Sequence, residues 1–396
     1  MKSRFWPILA LALIVARPAL AQTGLTITYN PLPTYTFGQV LTFQISARSD
    51  VSILTATLFF KTPHDPQPQA GPAQFTSSTA ITATYSLDLT LRPLLPFIPI
   101  EYWWEIKDEA GNALTTSPQT FFYEDNRFAW RSLTGDQATV HWYKGDAAFG
   151  EAALAVAETG LRDANRDIGA ELPENVNIYI YASESDVREA LRRVGREWAA
   201  GHANPEIGVV VTTVTPNVEA RLNLGRQVPH ELTHLLVYQA TGDQYRNVPN
   251  WLNEGLAVNN EAQPDPDLLA ALKAARESGD LIPLAVLCRP FLLDRAQAAL
   301  AYAESASVVS YIRDHYGPQG LGGLLKAYAG GASCDDGVQR ALNISLADLE
   351  KAWRRDELKI SPGTSQQLTA LAPWLVLAAL VLLAGALFLV FTARQH

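Results

Sequence analysis

Val228-Pro229-His230-Glu231-Leu232-Thr233-His234 sets two histidines four residues apart around a glutamate. On a helix that spacing projects both rings from one face, about 6 Å apart along the axis, so the pair can share a metal ion. Neutral imidazoles suit Zn²⁺ at about 2.0–2.1 Å. Glu231 is turned about 100° from His230, so it reaches a water beside the metal without being a ligand. There it can take the water's proton and pass it to a leaving amine. The chain has only seven histidines, which gives a pair at this spacing weight. The alternative is two core histidines on a structural helix whose apolar face is Leu232, Leu235, Leu236 and Tyr238. Pro229 must either stand in the first turn of that helix or kink a longer one beginning near Leu222. His230 then sits near a helix N-terminus, where the neutral ring is favoured.

A hydrolytic zinc needs a third protein ligand and an open fourth position. The remaining histidines are scattered: His64 in a loop, His141 on a strand, His202 before a proline-containing turn, His315 late and His396 at the end. A carboxylate is the better candidate, and Trp251-Leu252-Asn253-Glu254-Gly255-Leu256-Ala257 supplies Glu254. The interval from His234 leaves room for a helix end, a turn at Thr241-Gly242-Asp243 and a second helix packing back. Flanked by Trp251, Leu252, Leu256 and Ala257, Glu254 falls on a partly buried face, where a carboxylate needs a partner.

The elements that must hold these groups are set by the rest of the chain. Its 396 residues suggest two or three domains at roughly 150 each. With 48% hydrophobic and 18% charged residues it is not a disordered, charge-dominated chain. A net charge of −9 argues against a nucleic-acid partner, which needs a basic surface.

Lys2 and Arg4, the apolar run Phe5 to Val15 and Ala19-Leu20-Ala21 read as a secretory signal peptide over 1–21, with a retained signal anchor as the alternative. Ala370 to Phe391 carries no charge, is long enough to cross a bilayer and is followed by Arg394. It reads as a transmembrane helix over 370–391, with a buried soluble-core helix as the alternative. A short stalk, 361–369, precedes it and a cytoplasmic tail, 392–396, follows. These segments predict a single-pass protein of the cell membrane whose folded part is extracytoplasmic.

Residues 22–125 read as strands. Leu41, Phe43 and Ile45 alternate with Thr42, Gln44 and Ser46, and Ile81, Ala83, Tyr85, Leu87 and Leu89 with polar neighbours. Leu25–Tyr29, Ile53–Phe60, Ile100–Ile106 and Gln119–Tyr123 are further candidates. Together they predict a β-sandwich of immunoglobulin or fibronectin type. Thr62 to Pro72, rich in proline and glutamine, reads as a loop. Trp103-Trp104 and Phe121-Phe122-Tyr123 are either core with a solvent-facing ring or an aromatic ligand platform. Over 126–360 strands alternate with helices: strands at Thr139–Tyr143, Asn177–Tyr181 and Ile207–Val214, helices over Asp146–Ile168 and Asp186–Val194 with Ser183 as N-cap, and then mostly helix.

H-E-L-T-H followed by W-L-N-E-G-L-A resembles the gluzincin metallopeptidases of the MA clan, and most of all the exported peptidase MA-like domains with a W-L-x-E-G-x-A segment. The resemblance covers Asn126 to Leu358. It implies His230, His234 and Glu254 as zinc ligands and Glu231 as general base and acid. It also implies an α+β, zincin-like fold with a mostly helical C-terminal lobe, whose sheet lays an edge strand over the active-site helix. That edge is expected at Gly208–Thr213, where an extended peptide could add as a strand, with an ordinary core strand as the alternative. Members of the clan stabilise the oxyanion with a tyrosine or histidine, and Tyr302 in Ala301-Tyr302-Ala303-Glu304 is the matching candidate. A packed core tyrosine is the alternative. The sequence departs from the aminopeptidase N-like pattern, since Met1 is its only methionine and no G-x-M-x-N strand exists. It departs from the thermolysin-like pattern in carrying Ala257 and Val258 where acidic residues follow the third ligand.

Cys288 and Cys334 are the only cysteines and, in an oxidising compartment, each other's only intramolecular partner. The expectation is a disulfide behind the active site, with two buried thiols as the alternative. The combined reading is a membrane-anchored, extracytoplasmic zinc endopeptidase acting on a peptide or protein. Its rivals are a non-catalytic cell-surface binding protein with an inactive zincin lobe, and a metal-dependent hydrolase of a non-peptide amide.

Overall fold

The computed structural model describes residues 24–172, 175–192, 201–291 and 295–359. The expected signal peptide, stalk, transmembrane helix and tail all lie outside the described residues. Among the described residues no helix is long and apolar enough to cross a membrane. The chain divides into two compact units between Arg127 and Phe128.

The first unit is built from β1 (Thr26–Tyr29), β2 (Thr34–Thr36), β3 (Val40–Arg48), β4 (Ile53–Lys61), β5 (Gln69–Pro72), β6 (Ala80–Asp88), β7 (Ile98–Asp108), β8 (Ala113–Thr115) and β9 (Gln119–Tyr123). In one antiparallel sheet β3 pairs with β1, β2 and β6; in the other β7 pairs with β4, β8 and β9, and β5 lies on β4. The period-two pattern of β3 buries Leu41, Phe43, Ile45 and Ala47. Phe43 meets the other sheet, its ring centroid 6.1 Å from Phe60 and 5.1 Å from Tyr102. The loop expected over Thr62 to Pro72 ends in a strand, β5. Pro72 is tolerated there because β5 is an edge, and a Cβ on Gly71 would stand 2.2 Å from the Tyr85 ring. The aromatic runs alternate: Trp104, Phe121 and Tyr123 are core, while Trp103 stacks on Phe59 at 5.6 Å and Phe122 is exposed.

The second unit opens with β10 (Arg131–Thr134), β11 (Ala138–Trp142), α1 (Ala147–Ile168), β12 (Val176–Tyr181), α2 (Glu184–Arg192), β13 (Gly201–Asn204) and β14 (Val209–Thr213). It continues with α3 (Ala220–Thr241), α4 (Asn250–Asn259), α5 (Pro266–Ser278), α6 (Leu284–Leu287), α7 (Arg295–Ala329), α8 (Cys334–Leu342) and α9 (Leu346–Asp356). Asp146 is the N-cap of α1, accepting from the Phe149 N–H, rather than its first residue. The sheet order is β10-β11-β12-β14-β13, parallel through β11, β12 and β14 and antiparallel at both edges. One face, with Val140, Ile178, Ile180 and Val210, shares a core with Ala157 and Leu161 of α1 and Leu232 and Leu235 of α3.

This topology corrects the expected edge. Gly208–Thr213 is not an edge strand, because β14 is hydrogen-bonded on both sides and β13 stands outside it. Its β-branched run, Val209 to Val211 followed by Thr212 and Thr213, is buried through Thr212, as an interior strand is. The strand is also shorter than Ile207–Val214: Pro205–Ile207 form a 3₁₀ turn, and Gly208, at φ 65°, redirects the chain into β14. In α7 the helix breaks at Gly317, φ 69°, and restarts at Pro318, a left-handed glycine stop followed by a proline start.

Candidate metal centre

Helix α3 carries His230 and His234, and α4 carries Glu254. α3 begins at Ala220, so Pro229 lies inside a longer helix and His230 is well away from its N-terminus. The favouring of a neutral His230 by a helix end is therefore corrected; what governs its charge is the carboxylates around it. α3 seats against α1 at a small-residue contact, where a Cβ on Gly160 would lie 3.0 Å from Pro229. α4 buries Trp251, Leu252, Leu256 and Ala257. A Cβ on Gly255 would meet the Ser305 carbonyl of α7 at 2.4 Å, so only glycine allows this crossing. The packing leaves Asn253 and Glu254 on the side that faces α3.

There the three side chains converge. Glu254 Oε2 lies 3.5 Å from His230 Nε2 and 3.6 Å from His234 Nε2. One ligand atom from each residue falls within 4.8 Å of the others, a grouping of His, Cys, Asp or Glu found at this point among the described residues. Among the described residues, Glu254 Oε2 is buried without a hydrogen-bond partner. Ligands at about 2.0–2.1 Å from a tetrahedral Zn²⁺ stand about 3.3–3.4 Å apart, so both carboxylate-to-imidazole separations fit such an ion. The opposite ring nitrogens are engaged: His230 Nδ1 lies 3.0 Å from Glu261 Oε1, and His234 Nδ1 3.1 Å from Asn253 Oδ1. Asn253 in turn donates to the Tyr245 hydroxyl at 3.1 Å. Partners of this kind hold the Nδ1–H tautomer and leave the Nε2 lone pair for a metal. The donor set and its support fit zinc.

Burial alone would lower the His230 pKa, but Glu254, Glu261 and Glu231 overcome it and hold the imidazole at about 10. Burial would raise Glu254, yet His234 and His230 keep it below the usual carboxylate range. Glu231 is itself buried. Tyr302, on α7, has its ring centroid 6.4 Å from His230, with Phe291 edge-on at 5.4 Å. Burial, then Glu254 and Glu231, push the Tyr302 hydroxyl well above its ordinary pKa, so it remains a proton donor. Cys288 and Cys334 form a disulfide with Cα atoms 6.2 Å apart. The Cys288 carbonyl accepts the Asn250 N–H at 3.3 Å, so the bridge anchors the start of the helix that carries Glu254.

The sequence model of the Peptidase MA superfamily matches residues 156–358, just over half of the chain. The chain belongs to the Peptidase MA superfamily. The match spans both motif helices of this Peptidase MA domain. No curated protein matches significantly. Among solved structures, the chain is similar to the M1 zinc metallopeptidase from Deinococcus radiodurans, with 16% identity over 87% of this chain and 97% of that one and a TM-score of 0.37. A variant of that enzyme bound to a Tyr-Ser-Ala substrate aligns at 14% identity over 88% and 97%, TM-score 0.34. A family 56 carbohydrate-binding module, a β-1,3-glucan binding domain, aligns with 24% of this chain and 96% of its own length at 15% identity, TM-score 0.16. Likeness at these scores assigns no role to any residue here.

Asn253, Tyr245 and Glu261 were not legible as site residues. Asn253 sits inside the W-L-N-E-G-L-A segment, and its place beside Glu254 was a usable signal. Glu261 lies past the end of α4, where helical spacing no longer says which way a side chain points.

Proposed function

We propose that this chain is a membrane-anchored, extracytoplasmic zinc endopeptidase. The observation that carries the catalytic part is the convergence of the His230, His234 and Glu254 ligand atoms, with Glu254 Oε2 buried and lacking any other partner among the described residues. A zinc ion held by these three residues supplies Lewis acidity toward a scissile carbonyl and toward water. Glu231, one residue along α3 from His230, takes the proton of the attacking water and delivers it to the leaving amine. Tyr302 donates its hydroxyl hydrogen bond to the oxyanion as charge develops there. The outer edge of β13 offers backbone groups with which an extended peptide can pair. The anchoring part rests on the uncharged run Ala370 to Phe391 and on the signal-like N-terminus.

Digestion of a peptide library by the purified protein, with and without chelator, tests the activity. Chelator-sensitive cleavage at internal bonds is expected. Cleavage that survives complete metal removal, or no cleavage by protein holding one zinc per chain, would overturn it.

A further inference from the structure

Proline lacks an amide hydrogen, so Pro229 leaves the carbonyl four residues back in α3 without its helical donor. That carbonyl belongs to Gly225, and it accepts the N–H of Ala262 at 2.8 Å. The seat is close: a Cβ on Gly225 would lie 3.1 Å from the Ala262 Cβ. Two residues earlier, the Asn260 side-chain amide donates to the Pro229 carbonyl at 3.1 Å, to Thr233 Oγ1 at 2.9 Å and to the Gly160 carbonyl at 3.2 Å. Asn259 binds the other way, donating to the Ala306 carbonyl at 2.8 Å and accepting from Ser310 and Arg313 of α7. The segment Asn259–Ala262 is thus strapped to α1, α3 and α7. The remaining member of the strap is Glu261, whose Oε1 reaches His230 Nδ1 at 3.0 Å with only 9% of its side chain exposed.

We infer that Glu261 is the positioning residue for His230, delivered to it by a strap that seats on the carbonyl Pro229 frees. Accepting the Nδ1 hydrogen fixes the tautomer and the ring's rotation, so that Nε2 faces Glu254 and the metal. The same proline that precedes the first ligand therefore also creates the socket for the group that orients it. This rests on the zinc reading of the site.

The experiment uses the full chain. Zinc affinity is measured by competition with a chromophoric chelator, together with the zinc release rate and thermal unfolding of the chelator-stripped protein. Glu261→Ala should weaken zinc by about 10–100-fold, the usual effect of losing such a partner, with the stripped protein's unfolding little changed. Glu261→Gln keeps an acceptor oxygen and the side-chain size, so it should fall between the alanine variant and wild type. Pro229→Ala returns an N–H that competes with Ala262 for Gly225. It should weaken zinc in the same direction, and the double variant with Glu261→Ala should be no worse than Glu261→Ala alone, because both act through one contact. Wild-type zinc affinity and release in both Glu261 variants would overturn the positioning role. Fully additive losses in the double variant would overturn the strap. A wild-type chain that fails to bind zinc at all would remove the zinc reading itself, and this inference with it.

Discussion

Gly255→Ala tests how tightly the packing of α4 controls the site. On an exposed helix, alanine in place of glycine stabilises by about 1 kcal/mol. Here the added Cβ would sit 2.4 Å from the Ser305 carbonyl oxygen and 2.6 Å from Val309 Cγ2. Restoring an ordinary contact of about 3.5 Å requires α4 and α7 to separate locally by about 1 Å. Overpacking of that kind costs about 1–3 kcal/mol, which reverses the sign expected from helix propensity. Glu254 is the next residue, so its carboxylate moves with the helix. Metal–ligand distances tolerate only about 0.2 Å, so the shift is several times what the site accommodates. The assay pairs denaturant unfolding of chelator-stripped protein with zinc competition. The expected result is a stability loss of about 1–3 kcal/mol together with zinc binding weakened by about tenfold or more. A variant as stable as wild type, or more stable, that holds zinc equally well would refute the reasoning.

Burial raises the Glu304 carboxyl from 4.5 to about 7, although its Oε1 accepts the Ile282 N–H at 3.0 Å. Because its folded pKa lies above the unfolded one, the folded chain binds the extra proton, and stability falls as pH rises from about 4.5 to about 7, by about 3 kcal/mol in all. Glu304→Gln should flatten that slope in denaturant titrations at a series of pH values; an unchanged slope would contradict it. With His230 held near 10, zinc binding at neutral pH should release about one proton and weaken by up to tenfold per unit of acidification; calorimetry in buffers of different ionisation enthalpy reads the proton count, and a count of zero would speak against this charge state. Cys288→Ala opens the loop closed by a disulfide of sequence separation 46 and should cost about 3–4 kcal/mol in unfolding experiments on oxidised protein; no loss would mean the bridge does not constrain the unfolded chain.

The grouping of His230, His234 and Glu254 was legible because helical spacing is a strict ruler: residues four apart share a face, and the flanking apolar residues of α4 say which side is buried. In the first unit β3 and β6 were legible through period two. What escaped depended on long-range hydrogen bonding. β14 was expected at the edge and β13 was not foreseen as a strand, because a β-branched run shows burial but not its neighbours in the sheet. β5 looked like a loop because composition registers Pro72 and not the pairing of Gly71 with Leu58. The mid-helix Pro229 left two readings open, and the choice turned on Ala262, which accepts the role of the missing donor far along the chain.

The central claim is that Glu231 is the base beside a zinc held by His230, His234 and Glu254. The direct test is the peptide-cleavage rate of Glu231→Gln at full zinc occupancy. The variant keeps the side chain's size and loses its basicity, so one zinc per chain should remain while turnover falls by about 10² or more. Cleavage at the wild-type rate with zinc bound would contradict the account.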